Sequence, residues 1–262
     1  MGAVTLSVAG RLASVTLSNP AKLNALSRSM WRELNEAFQT IAENAALRCV
    51  VVAGEGAHFS AGGDISEYAE FRFNEASLRE FHETDVWGAL LAMLDCRLPV
   101  LARIEGNCMG AGLEIASCCD IRLASTHAKF GAPIARLGFP MAPREAALVL
   151  GAVGEVTARD MLLAASIFDA PNMLQRGFLS NVYSNADLAA AVQIYVDRIC
   201  QLAPNAAAMN KQCFSALAQS ARAQSERAQA ASELIANAYQ YAESHEHREG
   251  VSAFLAKRPP EF

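Results

Sequence analysis

The sequence predicts a mixed α/β protein in which strand–helix units lead into a helical C-terminal third. Three observations carry this. Two continuous apolar runs, Cys49–Ala53 and Leu98–Ile104, each enter a glycine-rich loop that leads toward a helix, as buried parallel strands do. The N-terminus alternates with the period of two expected of a half-buried hairpin. Residues 186–257 are alanine-rich, with apolar positions at helical spacing almost throughout. With 262 residues, 52% hydrophobic and 19% charged, the chain is long enough to bury a core without disulfides or a structural metal. A formal charge of −5 argues against a general nucleic-acid or membrane-surface binder, which shows a basic stripe.

Taken in order, residues 3–8 and 11–17 read as two strands joined at Gly10. Ser27 opens a helix whose apolar set is Met30, Leu34, Phe38 and Ile41. Cys49–Ala53 follows, then the loop GEGAHFSAGGD from Gly54 to Asp64, and a helical stretch over 75–95. Leu98–Ile104 runs into the loop GNCMGAG, the short apolar helix Leu113–Cys119 and a third strand, Ile121–Ala124. From about residue 141 the pattern is mostly helical. The seven cysteines are odd in number and never fall as C-x-x-C, so they read as small hydrophobes in a reducing compartment. The N-terminal stretch lacks the charged and apolar regions of a signal peptide, and no apolar run reaches the roughly 18 residues of a spanning helix, so the expected location is cytoplasmic.

The chemistry is expected in the two glycine-rich loops. Gly62-Gly63-Asp64 and Gly110-Ala111-Gly112 offer backbone N–H groups at predicted helix starts, where several donors have no intrahelical partner. Two such donors aimed at one point can hold a developing oxyanion. Glu114 stands in the otherwise apolar helix that follows, where a carboxylate is costly unless a cleft or a hydrogen bond supports it. From spacing alone, an oxyanion site with one acid/base carboxylate and two ordinary turns with a structural glutamate both remain open.

The stretches NPAKLNALS (19–27), HFSAGGDISE (58–67), IEGNCMGAGLEIASCCDIRLAS (104–125), FGAPIARLGFP (130–140) and HREGVSAFLAKR (247–258) resemble the crotonase superfamily, the enoyl-CoA hydratase/isomerase family, from end to end. The resemblance implies a crotonase spiral of strand–strand–helix units over residues 1–185 and a helical oligomerisation region over 186–262 that trimerises. It implies that the backbone N–H groups of Gly63 and Ala111 polarise a thioester carbonyl and that Glu114 moves the proton. For the coenzyme A part it implies Asn24, Ala25, Leu26, Ala61, Gly62, Asp64, Ile65 and Gly110, with Lys22, Arg28, Phe254 and Lys257 near the phosphates. Coenzyme A enters as part of the substrate; no separate cofactor and no metal are expected. The expected partners are an acyl-CoA and further copies of the chain, as a homotrimer or a dimer of trimers.

One departure matters. Hydratases of this family carry a second glutamate in the F-G-x-P-E segment, and here that position is Ile134, which can neither take nor give a proton. The usual glycine-rich continuation is replaced by Met141-Ala142-Pro143-Arg144-Glu145. Three readings stay open: a hydratase or isomerase in which Glu114 does all the proton transfer, a relative that uses Arg136, Arg144 or Glu145 on a polar acyl group, and a CoA-ester binder with little turnover. Glu145 also suits the first turn of a helix. A dinucleotide fingerprint fails because its sixth position is Ile115, Ser60 and His58 lack a nucleophile elbow, and His245-x-His247 reads as surface.

Overall fold

The computed structural model describes residues 2–223 and 236–261. Strands β1 (Ala3–Ala9) and β2 (Leu12–Ser18) form the expected antiparallel hairpin across Gly10. β2 then pairs in parallel with β3 (Cys49–Gly54), β3 with β4 (Val100–Ile104), β4 with β6 (Ile121–Ser125), and β6 with β9 (Asn181–Tyr183). The result is a six-stranded sheet, parallel but for its first hairpin. A second sheet of three short strands, β5 (Asn107–Met109), β7 (Lys129–Gly131) and β8 (Ile167–Asp169), stands beside it.

The continuous apolarity of β3 has a direct cause. Its alternate residues face two different cores: Val50 and Val52 enter the main one, while Cys49 and Val51 enter a second. The main core is closed by α1 (Arg28–Glu43), which is capped by the Ser27 hydroxyl and buries Met30, Leu34, Phe38 and Ile41 as their spacing requires. Beyond it, α2 (Tyr68–Phe71), α3 (Glu75–Glu80) and a wide π turn over 81–86 lead into α4 (Trp87–Leu94), which packs on α1. Helices α5 (Ala111–Cys118), α6 (Pro143–Val153), α7 (Glu155–Leu163) and α8 (Ala170–Gln175) complete this side. The second core lies under α9 (Asn185–Gln201), whose Leu188, Val192, Val196 and Ile199 cover Val51, Leu101 and Leu123. α9 thus forms an outer layer on the sheet. α10 (Pro204–Ala223) follows, and α11 (His245–Leu255) closes the chain. The helical expectation over 224–235 lies outside the described residues.

Two expectations need correction. The segment from 141 onward also contains β8 and β9, which are only three residues long and show no usable periodicity. His247 is fully buried, because α11 docks back on the chain instead of lying on the surface. Five cysteines are buried; Cys213 alone is exposed. Burial drives the Cys49 thiol up to about 12 and also raises those of Cys108 and Cys118 well above the ordinary thiol value, so these side chains act as hydrophobes. No helix among the described residues is long and apolar enough to cross a membrane.

The docking of α11 depends on two glycines. A Cβ at Gly250 would lie 2.2 Å from the Leu137 carbonyl carbon, and one at Gly138 would lie 2.0 Å from the Glu246 carbonyl oxygen. Within a helix, Gly→Ala normally stabilises by about 1 kcal/mol. At Gly250 the backbone clash reverses the sign. Gly250→Ala is expected to lower stability by ~1–3 kcal/mol, read as a fall in denaturant midpoint. An unchanged or raised midpoint would show that α11 does not pack this way.

Candidate active site

The two glycine-rich loops are hydrogen-bonded to one another. Ser60 donates its N–H to Asn107 O (2.8 Å) and accepts from Met109 N (3.0 Å), so the first loop runs as an extra strand beside β5. On its other side it pairs with Leu26: Leu26 N–H donates to Gly62 O and Asp64 N–H to Leu26 O, both at 2.8 Å. In this parallel bridge the N–H of the intervening Gly63 is left without a partner among the described residues. Across from it, Gly110 turns the chain at φ +46° and donates to Gly131 O, and α5 begins at Ala111. The first N–H groups of a helix have no intrahelical acceptor, so Ala111 presents a second open donor at the positive end of α5. Both residues line one cavity of about 510 Å³. A carbonyl oxygen entering between them would meet two fixed donors.

Glu114 lies one turn into α5 and lines the same cavity. Burial, reinforced by the Glu145 carboxylate and partly offset by Arg72, raises its carboxyl to about 8. At neutral pH it is a protonated acid. Ile134, in a 3₁₀ turn over Ile134–Leu137, also borders the cavity and adds an apolar wall instead of a second carboxylate. Glu145 sits in the first turn of α6, is only 2% exposed, and lies 2.9 Å from His82 Nδ1. It acts on Glu114 through space and is not on the cavity wall.

The remaining expected residues divide by position. Ala61, Gly62, Gly110, Ile65, Arg136 and Phe254 line the cavity; Phe254 is 53% exposed at its rim. Asn24 is buried and ties the loop together, accepting from Asn19 N–H and donating to Glu55 O and His58 O. Ala25 and Leu26 are buried beneath it. Lys22 pairs with Asp64 at 2.7 Å. Burial of Asp64 opposes its charge, but the hydrogen bonds from Lys22 and Ser66 outweigh it and lower its pKa. Arg28 is engaged by Asp85 and Glu80. Arg144 turns away to Glu83 (3.3 Å) and the Trp87 ring, outside the cavity wall. Lys257 follows α11 and is exposed. Ser60 bonds Gly62 N–H and His58 bonds Asn107 N–H, so they form no nucleophile–base pair. Four polar residues of the cavity were not anticipated: Tyr68, Arg72, His82 and Asn107. The sequence trace of Arg72 was an arginine inside an aromatic run, Tyr68, Phe71, Phe73.

Residues 8–262 match the family model described as enoyl-CoA hydratase/isomerase. The chain is 30% identical over 252 residues to a probable enoyl-CoA hydratase of Mycobacterium bovis, covering 96% of this chain and 94% of that protein. It is 30% identical over 253 residues to the 2,3-dehydroadipyl-CoA hydratase of Escherichia coli, covering 96% and 95%. The crystal structure of an enoyl-CoA hydratase/carnithine racemase from Magnetospirillum magneticum superposes with a TM-score of 0.81 at 34% identity, over 100% of this chain and 96% of that one.

The raised carboxyl of Glu114 sets a pH dependence. The folded protein keeps its proton up to about pH 8, whereas an ordinary glutamate releases it near 4.5. The stability this group contributes is complete below 4.5 and is lost as the pH rises toward 8. The melting temperature of the wild type is therefore expected to fall relative to that of Glu114→Gln between pH 5 and pH 8; parallel curves would contradict the buried, raised carboxyl. Removing the like charge with Glu145→Gln should move the midpoint of that relative fall to lower pH.

Proposed function

Because the chain belongs to the enoyl-CoA hydratase/isomerase family, we propose that its loops bind an enoyl-CoA thioester and that it works as a hydratase with a single carboxylate. The observation that supports this most is the pair of unpartnered N–H groups of Gly63 and Ala111, with Glu114 one turn along α5 from the second. The thioester oxygen sits between the two donors, and the negative charge that develops on it during addition to the double bond is stabilised there. Glu114 enters the step as the neutral acid. One of its oxygens delivers a proton to the α-carbon while the other takes a proton from the water whose oxygen bonds to the β-carbon. The π bond is consumed, one water is added, and Glu114 ends the step protonated as it began. A raised pKa suits this role, because a group that must give and take a proton works best near the operating pH.

In this reading the segment Asn24, Ala25, Leu26 and the loop Ala61, Gly62, Asp64, Ile65 hold the adenine and pantetheine of coenzyme A. Lys22, Phe254 and Lys257 stand toward the phosphates. No cofactor beyond the thioester's own coenzyme A is called for. The chain works in the cytoplasm as a homotrimer or a dimer of trimers, assembled through its helical C-terminal region.

Incubation with crotonyl-CoA and longer enoyl-CoAs, followed by mass spectrometry, tests the reaction. A mass gain of one water is expected; an unchanged mass with altered retention would instead establish isomerisation. Glu114→Gln is expected to keep acyl-CoA binding, read as a ligand-induced rise in melting temperature, and to lose at least ~10²-fold of turnover. Ile134→Glu should raise hydration by restoring a second carboxylate. Turnover by Glu114→Gln equal to the parent's would remove Glu114 from the mechanism, and no turnover by either parent or Ile134→Glu would leave a CoA-ester binder. Light scattering at micromolar concentration should give at least a trimer; a monomer would refute the assembly.

A further inference from the structure

The cavity holds a buried cation that no carboxylate of the described residues touches. Arg72 is 1% exposed and lines the cavity wall, yet no carboxylate oxygen of the described residues lies within ion-pair distance of its guanidinium. Its contacts are all neutral. Nε donates to His247 Nε2 (3.4 Å), Nη1 to His82 Nε2 (3.5 Å) and Nη2 to the Tyr241 hydroxyl (3.3 Å), while the guanidinium carbon lies 3.9 Å from the Phe139 ring centre and 4.4 Å from that of Tyr68.

The two histidines are held as acceptors. His247 Nδ1 donates to Ala242 O and His82 Nδ1 to Glu145, each at 2.9 Å, which leaves both Nε2 atoms as lone pairs facing Arg72. Burial lowers both imidazole pKa values, that of His247 to about 4, so neither carries charge at neutral pH. Glu145 reaches Arg72 only through His82, and Glu114 is protonated. Three long hydrogen bonds leave part of the five-donor fork of an arginine unspent. A buried guanidinium without a partner is expensive, and a fork of this kind matches a carboxylate in two-point geometry.

Position adds the second half of the argument. A Cβ at Gly63 would clash with the Tyr68 hydroxyl, so one end of the Tyr68 side chain stands beside Gly63, and its ring face carries Arg72. Arg72 therefore lies within about the length of one aromatic side chain of Gly63, which a short acyl chain held at that N–H can span. Resting on the acyl-CoA reading above, we propose that Arg72, positioned by the Tyr241 hydroxyl, forms a carboxylate-binding subsite at the end of the acyl pocket, and that the substrates are CoA monothioesters of short unsaturated dicarboxylic acids. The bound carboxylate closes the ion pair that the protein leaves open.

Calorimetric titration with saturated pairs of equal length, adipyl-CoA against hexanoyl-CoA and glutaryl-CoA against pentanoyl-CoA, reads the subsite without needing turnover. The dicarboxylic member is expected to bind at least ~10²-fold more tightly to the wild type, because a site built for a polar group rejects the analogue that lacks it. That ratio should collapse toward one in Arg72→Leu and fall in Tyr241→Phe. If Arg72→Leu does not fold, Arg72→Lys, which keeps the charge and loses the fork, should show a reduced ratio. Equal affinity within each pair in the wild type, or a preference that survives folded Arg72→Leu, overturns the proposal. The two readings fail separately. Preference for adipyl-CoA with no hydration of 2-hexenedioyl-CoA would sink the hydratase and keep the subsite, and hydration of 2-hexenoyl-CoA with no preference would do the reverse.

Discussion

Two backbone N–H groups from loops nearly fifty residues apart must stay unpaired and face one cavity, and much of the fold serves that requirement. An open donor survives beside ordinary secondary structure only where the ladder skips it. Gly63 is skipped because its neighbours Gly62 and Asp64 take both hydrogen bonds of Leu26. Ala111 begins a helix, so its N–H has no acceptor among the described residues. The first loop is anchored on both sides, by Leu26 and by β5, so the spacing of the two donors is set by strand geometry and not by loop flexibility. Asn24, which the family resemblance assigns to coenzyme A, uses its side chain to brace this same arrangement, bridging Asn19, Glu55 and His58.

The electrostatics of the cavity follow from which groups are buried without compensation. Glu114 is held between an apolar wall that includes Ile134 and the field of Glu145, and both effects favour its protonated form. Arg72 pulls the other way but is itself held by imidazole, phenol and aromatic faces. The interior thus stores an acid with its proton retained and, among the described residues, a cation with no counter-charge in contact. Replacing the second glutamate by isoleucine is consistent with that balance. Another ionised carboxylate here would raise Glu114 further, and the present pocket keeps Glu145 one histidine away from Arg72.

The C-terminal helix α11 belongs to this site as much as the loops do. Gly138 and Gly250 let two backbones meet at a separation that closes the cavity with Phe254 at the rim and sets His247 against Arg72. A single reversed contact there would disturb both a packing surface and the orientation of a charged group.

The periodicity of α1, the two-sided apolarity of β3 and the glycines of both loops were legible in the sequence, because each is a local pattern: a helical stripe, a strand covered on both faces, a turn that needs no side chain. Glu114 was legible for a related reason, as a carboxylate placed among apolar neighbours on a short helix. The two three-residue strands β8 and β9 were not, since their pairing is set by partners far along the chain and they are too short to show a period. Nor was the setting of Arg72, which is assembled from Tyr68, His82, Phe139, Tyr241 and His247. No spacing rule links those positions. The sequence by itself determined which residue types could do chemistry and where the backbone had to be bare. Tertiary structure decided which charges were left without partners, because desolvation and distance exist only once the chain has folded.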